Sequence, residues 1–333
     1  MELEAVAALG RAGSLPDAVL VELDDVVACP ELVVSAAVEV LISHPGLSVG
    51  VATEPLSGRA REVAESLTVT VATSDPGVVG VQVADVEVAA AELLEACSRQ
   101  PEAGRLLLQV LRITGVLAGS QGLWAESMAF STLLGGDGFR AWRRSVPVRR
   151  RAPSVDAVRV DRRDQVVRVV LDRPRYRNAL DASARAALSA ALDVAVADRQ
   201  LAVELSATGP DFCAGGDLDE FGSATDLAAA HRLRLEHGPA PRMHAVGERT
   251  SVFVHGSCIG AGVELAAFAH RITAAQGTRF RLPEVSMGLI PGAGGTVSIP
   301  RRIGRWRAAW WILTGAELDL ATAVAWGLVD EVQ

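Results

Sequence analysis

Apolar residues fall along this chain in short β-branched runs that alternate with longer Ala- and Leu-rich stretches, the signature of strands and helices in turn. Val166–Leu171 reads as a buried strand, and Asp181 stands where an N-cap would open a helix over Ala182–Asp198. Ala202–Ala207 is the next strand, closed by the turn pair Gly209-Pro210. Ser251–Val254 and Phe280 with its neighbours predict further short strands, and a helix is expected from about Gly262. Others are expected over Ala308–Thr314 and Leu320–Trp326. Upstream, residues 86–142 carry helical apolar periodicity through positions such as Leu93, Leu107, Val110, Leu111, Phe130 and Leu133. The alternation predicts an α/β fold.

The pattern also repeats. SAAVEVLISHPGLSVGV (35–51) aligns without a gap on SAALDVAVADRQLAVEL (189–205), and VLVELDD (19–25) mirrors VRVVLDR (167–173). The basic, proline-bearing run RRSVPVRRRAP (143–153) reads as a linker between the two halves.

Composition narrows the function. A net charge of -8 argues against nonspecific nucleic-acid binding. All 32 basic residues are arginine, which excludes Schiff-base chemistry and leaves phosphate contacts to Arg or backbone N–H groups. The cysteines Cys29, Cys97, Cys213 and Cys258 have no CxxC spacing, so neither a metal site nor a disulfide framework is expected. No apolar run reaches the ~18 residues of a membrane span. The acidic start, Met1-Glu2-Leu3-Glu4, is unlike a secretory or transit peptide, and the expectation is a soluble cytoplasmic protein without membrane contact.

Three glycine-rich segments carry the candidate chemistry. Phe212 to Leu218 and Val254 to Ala266 each place small residues after a strand, where the backbone can turn sharply and approach a ligand. The second leads straight into a helix start, whose free N–H groups suit an anion. Two such sites facing each other would make an oxyanion hole. In the third segment, Pro283 to Thr296, Glu284 precedes another glycine-rich turn. With Glu264 it outlines a general acid/base pair. Taken alone, Glu264 could equally be a first-turn carboxylate complementing a helix dipole, and Glu284 a surface residue.

The order and spacing of five motifs resemble the enoyl-CoA hydratase/isomerase (crotonase) family: RPRYRNAL (173–180), DFCAGGDL (211–218), HGSCIGAGVELA (255–266), LPEVSMGLIPGAGGT (282–296) and LTGAELDLATAVAWGLVDEV (313–332). The resemblance implies a spiral of ββα turns that binds an acyl-CoA thioester. It implies Ala214 and Ala261 as backbone oxyanion donors and Glu264 and Glu284 as the two glutamates that hold and activate water. Arg173, Arg175 and Arg177 become candidate phosphate contacts. Ala179, Leu180, Gly215, Asp217 and Gly260 complete the substrate-binding set. No cofactor is implied beyond the coenzyme A of the substrate. A trimer-based homo-oligomer is the implied assembly.

Two departures stand out. Where the family has a proline-rich, apolar approach to the second oxyanion strand, this chain has Gly247-Glu248-Arg249-Thr250. The family also continues past the GLVDEV-like strand into closing helices, whereas this sequence stops at Gln333, and residues 86–150 resemble those helices. The expected organisation is a degenerate crotonase-like segment (1–85), a helical region (86–142), a linker (143–154) and a crotonase-like catalytic body (155–333). The expected activity is hydration of a 2-enoyl-CoA. The alternatives are an isomerase or a hydrolase of acyl-CoA ring or C–C bonds, and a non-catalytic acyl-CoA-binding subunit.

Overall fold

The computed structural model describes residues 1–13, 15–149 and 156–333. Helix α1 (Leu3–Arg11) leads into strands β1 (Ala18–Glu22), β2 (Leu47–Ala52), β3 (Val69–Ala72) and β4 (Gly80–Gln82), with α2 (Glu31–Ser43) and α3 (Gly58–Ser66) between them. These strands form a parallel sheet in sequence order. β2 and β3 are buried along their whole length, as a sheet covered on both faces requires. Four helices follow: α4 (Val86–Arg99), α5 (Pro101–Thr114), α6 (Gly119–Leu134) and α7 (Asp137–Ser145). Asp85 caps α4 by accepting from the N–H groups of Glu87 and Val88, and Pro101 takes the first position of α5, where its missing N–H costs nothing.

The second half runs β5 (Val158–Arg163), β6 (Val166–Leu171), α8 (Ala182–Ala197), β7 (Ala202–Ala207), α9 (Leu227–Glu236), α10 (Pro239–Val246) and β8 (Thr250–Val254). Then come β9 (Ser257–Ile259), α11 (Ala261–Ala266), β10 (Arg271–Ala274), β11 (Arg279–Arg281), α12 (Gly295–Ile303), α13 (Arg305–Thr314), α14 (Leu320–Trp326) and β12 (Glu331–Val332). The main sheet has the order β12-β10-β8-β7-β6-β5, parallel except for the β5–β6 hairpin, and β9 pairs with β11 in a separate two-stranded layer. The α/β class with largely parallel sheets agrees with the reading of the sequence. In each repeated segment a helix feeds a strand parallel to the one before it, β1–α2–β2 and β6–α8–β7.

The basic run expected as a linker differs in part. Arg143, Arg144 and Ser145 belong to α7, where two arginines complement the negative helix end, and residues 150–154 lie outside the described residues.

One apolar core joins β2, β3 and the helices α4 to α7 to the second half, through residues such as Val49, Val71, Leu107, Val297 and Trp311. α5 and α6 pack on α12, α6 also on α9, and α4 on α13. Arginines tie the halves at their polar margin: Arg305 donates to the carbonyls of Glu65 (2.6 Å) and Leu67 (3.0 Å). The unusual segment Gly247–Thr250 has a structural purpose. Arg249 reaches back to the carbonyl oxygens of Ala195 (2.7 Å) and Asp198 (3.2 Å), satisfying the C-terminal end of α8.

Candidate active site

Two sharp backbone turns are set back to back at the ends of β9 and of the segment after Phe212. At Gly260 φ is 51°, and a Cβ there would stand 2.7 Å from Glu284 Oε1, so neither the conformation nor the space admits a side chain. At Gly215 φ is 90°, and a Cβ would approach the Ile259 carbonyl oxygen to 3.1 Å. α11 starts immediately after Gly260, which leaves the first-turn N–H of Ala261 without an intrahelical acceptor. Among the described residues, the N–H groups of Ala261 and Gly216 donate to no protein acceptor, and both residues line one cavity of about 480 Å³. A pair of free N–H groups belonging to residues that line one cavity suits an oxygen that gains negative charge.

Glu264, in the first turn of α11, and Glu284, which opens the short 3₁₀ turn Glu284–Met287, line the same cavity. Both are buried, at 2% and 7% exposure. Glu264 Oε2 accepts from the N–H groups of Ala293 (2.6 Å) and Gly295 (3.0 Å). Burial above all, then the charges of Glu284 and Glu126, hold Glu264 well above the usual carboxylate range. Burial likewise pushes Glu284 up to about 7. Among the described residues, Glu284 Oε2 is buried with no hydrogen-bond partner.

A third carboxylate comes from the other half of the chain. Glu126, in the middle of α6, is 2% exposed. It accepts from the N–H groups of Gly294 (2.7 Å) and Thr296 (2.8 Å) and from the Thr296 hydroxyl (2.8 Å). Along the turn 293–296 the backbone N–H groups therefore alternate between Glu264 and Glu126. The turn is also the start of α12, where anions suit the free N–H groups and the helix dipole. Burial pushes Glu126 up to about 7 against these bonds. The sequence reading did not select Glu126. Its signal was a carboxylate on the apolar stripe of α6, at helical spacing from Leu123, Ala129 and Leu133.

Residues 161–333 match the family model described as enoyl-CoA hydratase/isomerase. The chain belongs to the enoyl-CoA hydratase/isomerase family. It is 34% identical over 174 residues to the 2,3-dehydroadipyl-CoA hydratase of Escherichia coli, an alignment covering 52% of this chain and 68% of that protein. It is 36% identical over 177 residues to the enoyl-CoA isomerase/hydratase fer4 of Mycosarcoma maydis, covering 50% and 65%. Among solved structures it is similar to an enoyl-CoA hydratase from Thermoplasma volcanium, with 31% identity, TM-score 0.49, and 54% of this chain aligned to 72% of that one.

The geometry revises several residues that the family resemblance had suggested. The Ala214 N–H donates to the Arg177 carbonyl oxygen (2.9 Å), so it is not a free oxyanion donor, whereas Gly216, with its N–H free, lines the cavity together with Ala261. Arg173 is buried and spends its guanidinium on Asp217 (2.9 Å), Asp181 (3.2 Å) and the Ala179 carbonyl (2.8 Å). It cannot also bind phosphate, and Asp217, its ion-pair partner, is structural rather than substrate-binding. Arg177 is held by Asp211 (2.8 Å) and the Ser257 hydroxyl (2.7 Å). Of the three arginines only Arg175 is exposed with no ion pair among the described residues. Leu180 lines the cavity, while Ala179 is buried beside it. Among the described residues no group of three or more His, Cys, Asp or Glu side chains is arranged to hold a metal, and no helix is long and apolar enough to cross a membrane.

Proposed function

We propose that this family member hydrates the double bond of a 2-enoyl-CoA thioester. The observation that carries the reading is the pair of buried carboxylates, Glu264 and Glu284, lining the same cavity as Gly216 and Ala261 with their free N–H groups. The thioester oxygen accepts from those two N–H groups as the α-carbon side of the molecule gains charge. One glutamate takes a proton from water while the water oxygen bonds to the β-carbon. The other gives a proton to the α-carbon, and the sum is addition of one water. Glu284 Oε2, buried and without a hydrogen-bond partner among the described residues, is an acceptor suited to the attacking water. Burial raises both carboxyls above the usual carboxylate range, Glu284 to about 7, which suits Glu284 to taking and giving a proton near neutral pH and Glu264 to holding one. The relatives are named as a hydratase and as an isomerase/hydratase, in keeping with this chemistry.

The test follows the absorbance of the thioester-conjugated double bond with crotonyl-CoA and longer 2-enoyl-CoAs. Hydration bleaches the band and yields a product heavier by one water. Loss of conjugation with no gain of mass would instead mean that the double bond is moved, and the hydratase reading would fall.

A further inference from the structure

The cavity holds two cations whose circumstances differ. Arg185 is neutralised by Glu220 (3.0 Å) and also donates to the Leu180 carbonyl (2.8 Å). Arg234, on α9, meets only neutral oxygens: Nε donates to the Ser127 hydroxyl (3.0 Å), and Nη2 to the Ser127 carbonyl (3.1 Å) and to the Ser131 hydroxyl. Among the described residues it has no ion-pair partner, and its Nη1 donates to no protein acceptor. The acidic group that acts on its charge is Glu126, whose oxygens are already taken by the turn 294–296. Burial draws Arg234 down to about 10, so it remains charged at neutral pH.

A half-buried guanidinium beside apolar side chains is costly without an anion. Here it is nevertheless held firmly. Two serines of α6 fix one edge, and the Phe130 ring lies under it at 4.9 Å. The same ring abuts Gly292, where a Cβ would meet Phe130 at 2.5 Å, and Gly292 adjoins the turn that holds Glu264. The fixed cation thus stands one aromatic ring away from the reacting end of the cavity, with a fork edge left open.

We propose that Arg234 receives a carboxylate at the far end of a short acyl chain, so that the substrates are CoA thioesters of dicarboxylic acids. This deepens the proposed acyl-CoA reading and rests on it. Arg234 binds through Nη1, whose two N–H donors suit a carboxylate oxygen. The serines keep the side chain in place before the ligand arrives, which limits the ordering cost of binding. Arg185 contributes no comparable attraction because Glu220 already offsets it.

The test titrates the full chain with two saturated six-carbon CoA thioesters, one ending in a methyl group and one in a carboxylate. Neither can be hydrated, so binding is read apart from turnover. The wild type should bind the carboxylate-ended thioester at least about tenfold more tightly, as one charge-assisted hydrogen bond allows. Arg234→Gln, which can still reach the serines but is uncharged, should bring the ratio to about one while leaving the methyl-ended ligand within about threefold. Arg185→Met should keep the wild-type ratio. A wild-type ratio near one, a folded Arg234→Gln that keeps the ratio, or its loss in Arg185→Met would each overturn the assignment. If Arg234→Gln does not fold, Arg234→Met, whose apolar chain suits the Phe130 ring, is judged by the same criteria. Failure of both thioesters to bind would remove the acyl-CoA reading and the proposal together. Preferential binding without hydration of the matching 2-enoyl thioester would remove only the hydratase step.

Discussion

A carboxylate in a cavity wall has lost most of its hydration, and the proton then becomes the cheapest way to remove its charge. That is the situation of Glu264 and Glu284. If both serve in hydration, Glu264→Gln and Glu284→Gln should each lower turnover by at least ~100-fold with little change in thioester binding. Steady-state rates within threefold of wild type in either variant would exclude that residue. The same burial has a consequence for stability. Glu284 and Glu126, near 4.5 in the open chain, are raised to about 7 in the fold. Between those values the native chain holds more protons than the unfolded one, so their stabilising contribution is full below about 4.5 and is lost as pH rises through about 7. The melting temperature should fall by several degrees, to order of magnitude, between pH 5 and pH 8. A rise over that interval would contradict the burial of these groups as neutral acids. Both candidates stand in glycine-rich segments with a helix or turn start, but it was the resemblance of those segments to the family, not the residues alone, that singled them out in the sequence. Of the two free N–H groups, that of Ala261 was named there and that of Gly216 was not. Ala214 and Gly216 look alike in the string DFCAGGDL, and which N–H is free depends on the carbonyl of Arg177, brought there by a distant turn.

At the scale of elements, most strands and helices declare themselves. Val166–Leu171, Ala202–Ala207 and Leu320–Trp326 fall where their apolar runs and caps place them, because a β-branched run between turn residues, or a capped apolar stripe, allows few alternatives. The hairpin strand β5 is different: all but its first residue are exposed, so no buried periodicity marks it. α6 shows what a single element can hide. Its face carries Gly122, where a Cβ would meet Val297 at 2.9 Å, and Glu126 one turn further on. The close approach that the glycine permits is what brings the carboxylate to the start of α12. Glu126→Ala leaves two buried N–H groups and a hydroxyl without their acceptor. It should cost about 3 kcal/mol or more, since each such group costs ~1–3 kcal/mol. Glu92→Ala on the exposed face of α4 is the control, expected within about 0.5 kcal/mol. Denaturant unfolding of both variants decides the matter, and equal midpoints would show that the α6–α12 contact does not depend on the carboxylate.

At the scale of the whole molecule, the two halves share more than a boundary. Apolar side chains of β2, β3 and α4 to α7 merge with those of the second half in one core, beside a second cluster built from α1, α2, α3 and β1; Thr114 of α5 donates to the Thr296 carbonyl at 2.7 Å, and Glu126 of α6 holds the turn that also fixes Glu264. α6 further supplies Phe130 and Leu134 to the cavity wall. Sequence periodicity showed that residues 86–142 would be helical, but the specific polar contacts could not be read from it, since they join positions far apart in the chain. Separating the halves would uncover the surface of α12 and α13 and strand the N–H groups at the start of α12. Exposed apolar patches of that kind are uncommon on soluble proteins, and the loss of the turn would release Glu264. Residues 152–333 produced alone should therefore be insoluble, or soluble without hydratase activity. Co-expression with residues 1–151 should restore both properties, because the interface is built from complementary buried surfaces rather than from chain continuity. A soluble 152–333 fragment with full activity on the substrate of the intact chain would mean that α5 and α6 only cover the site, and that Glu264 keeps its place without them.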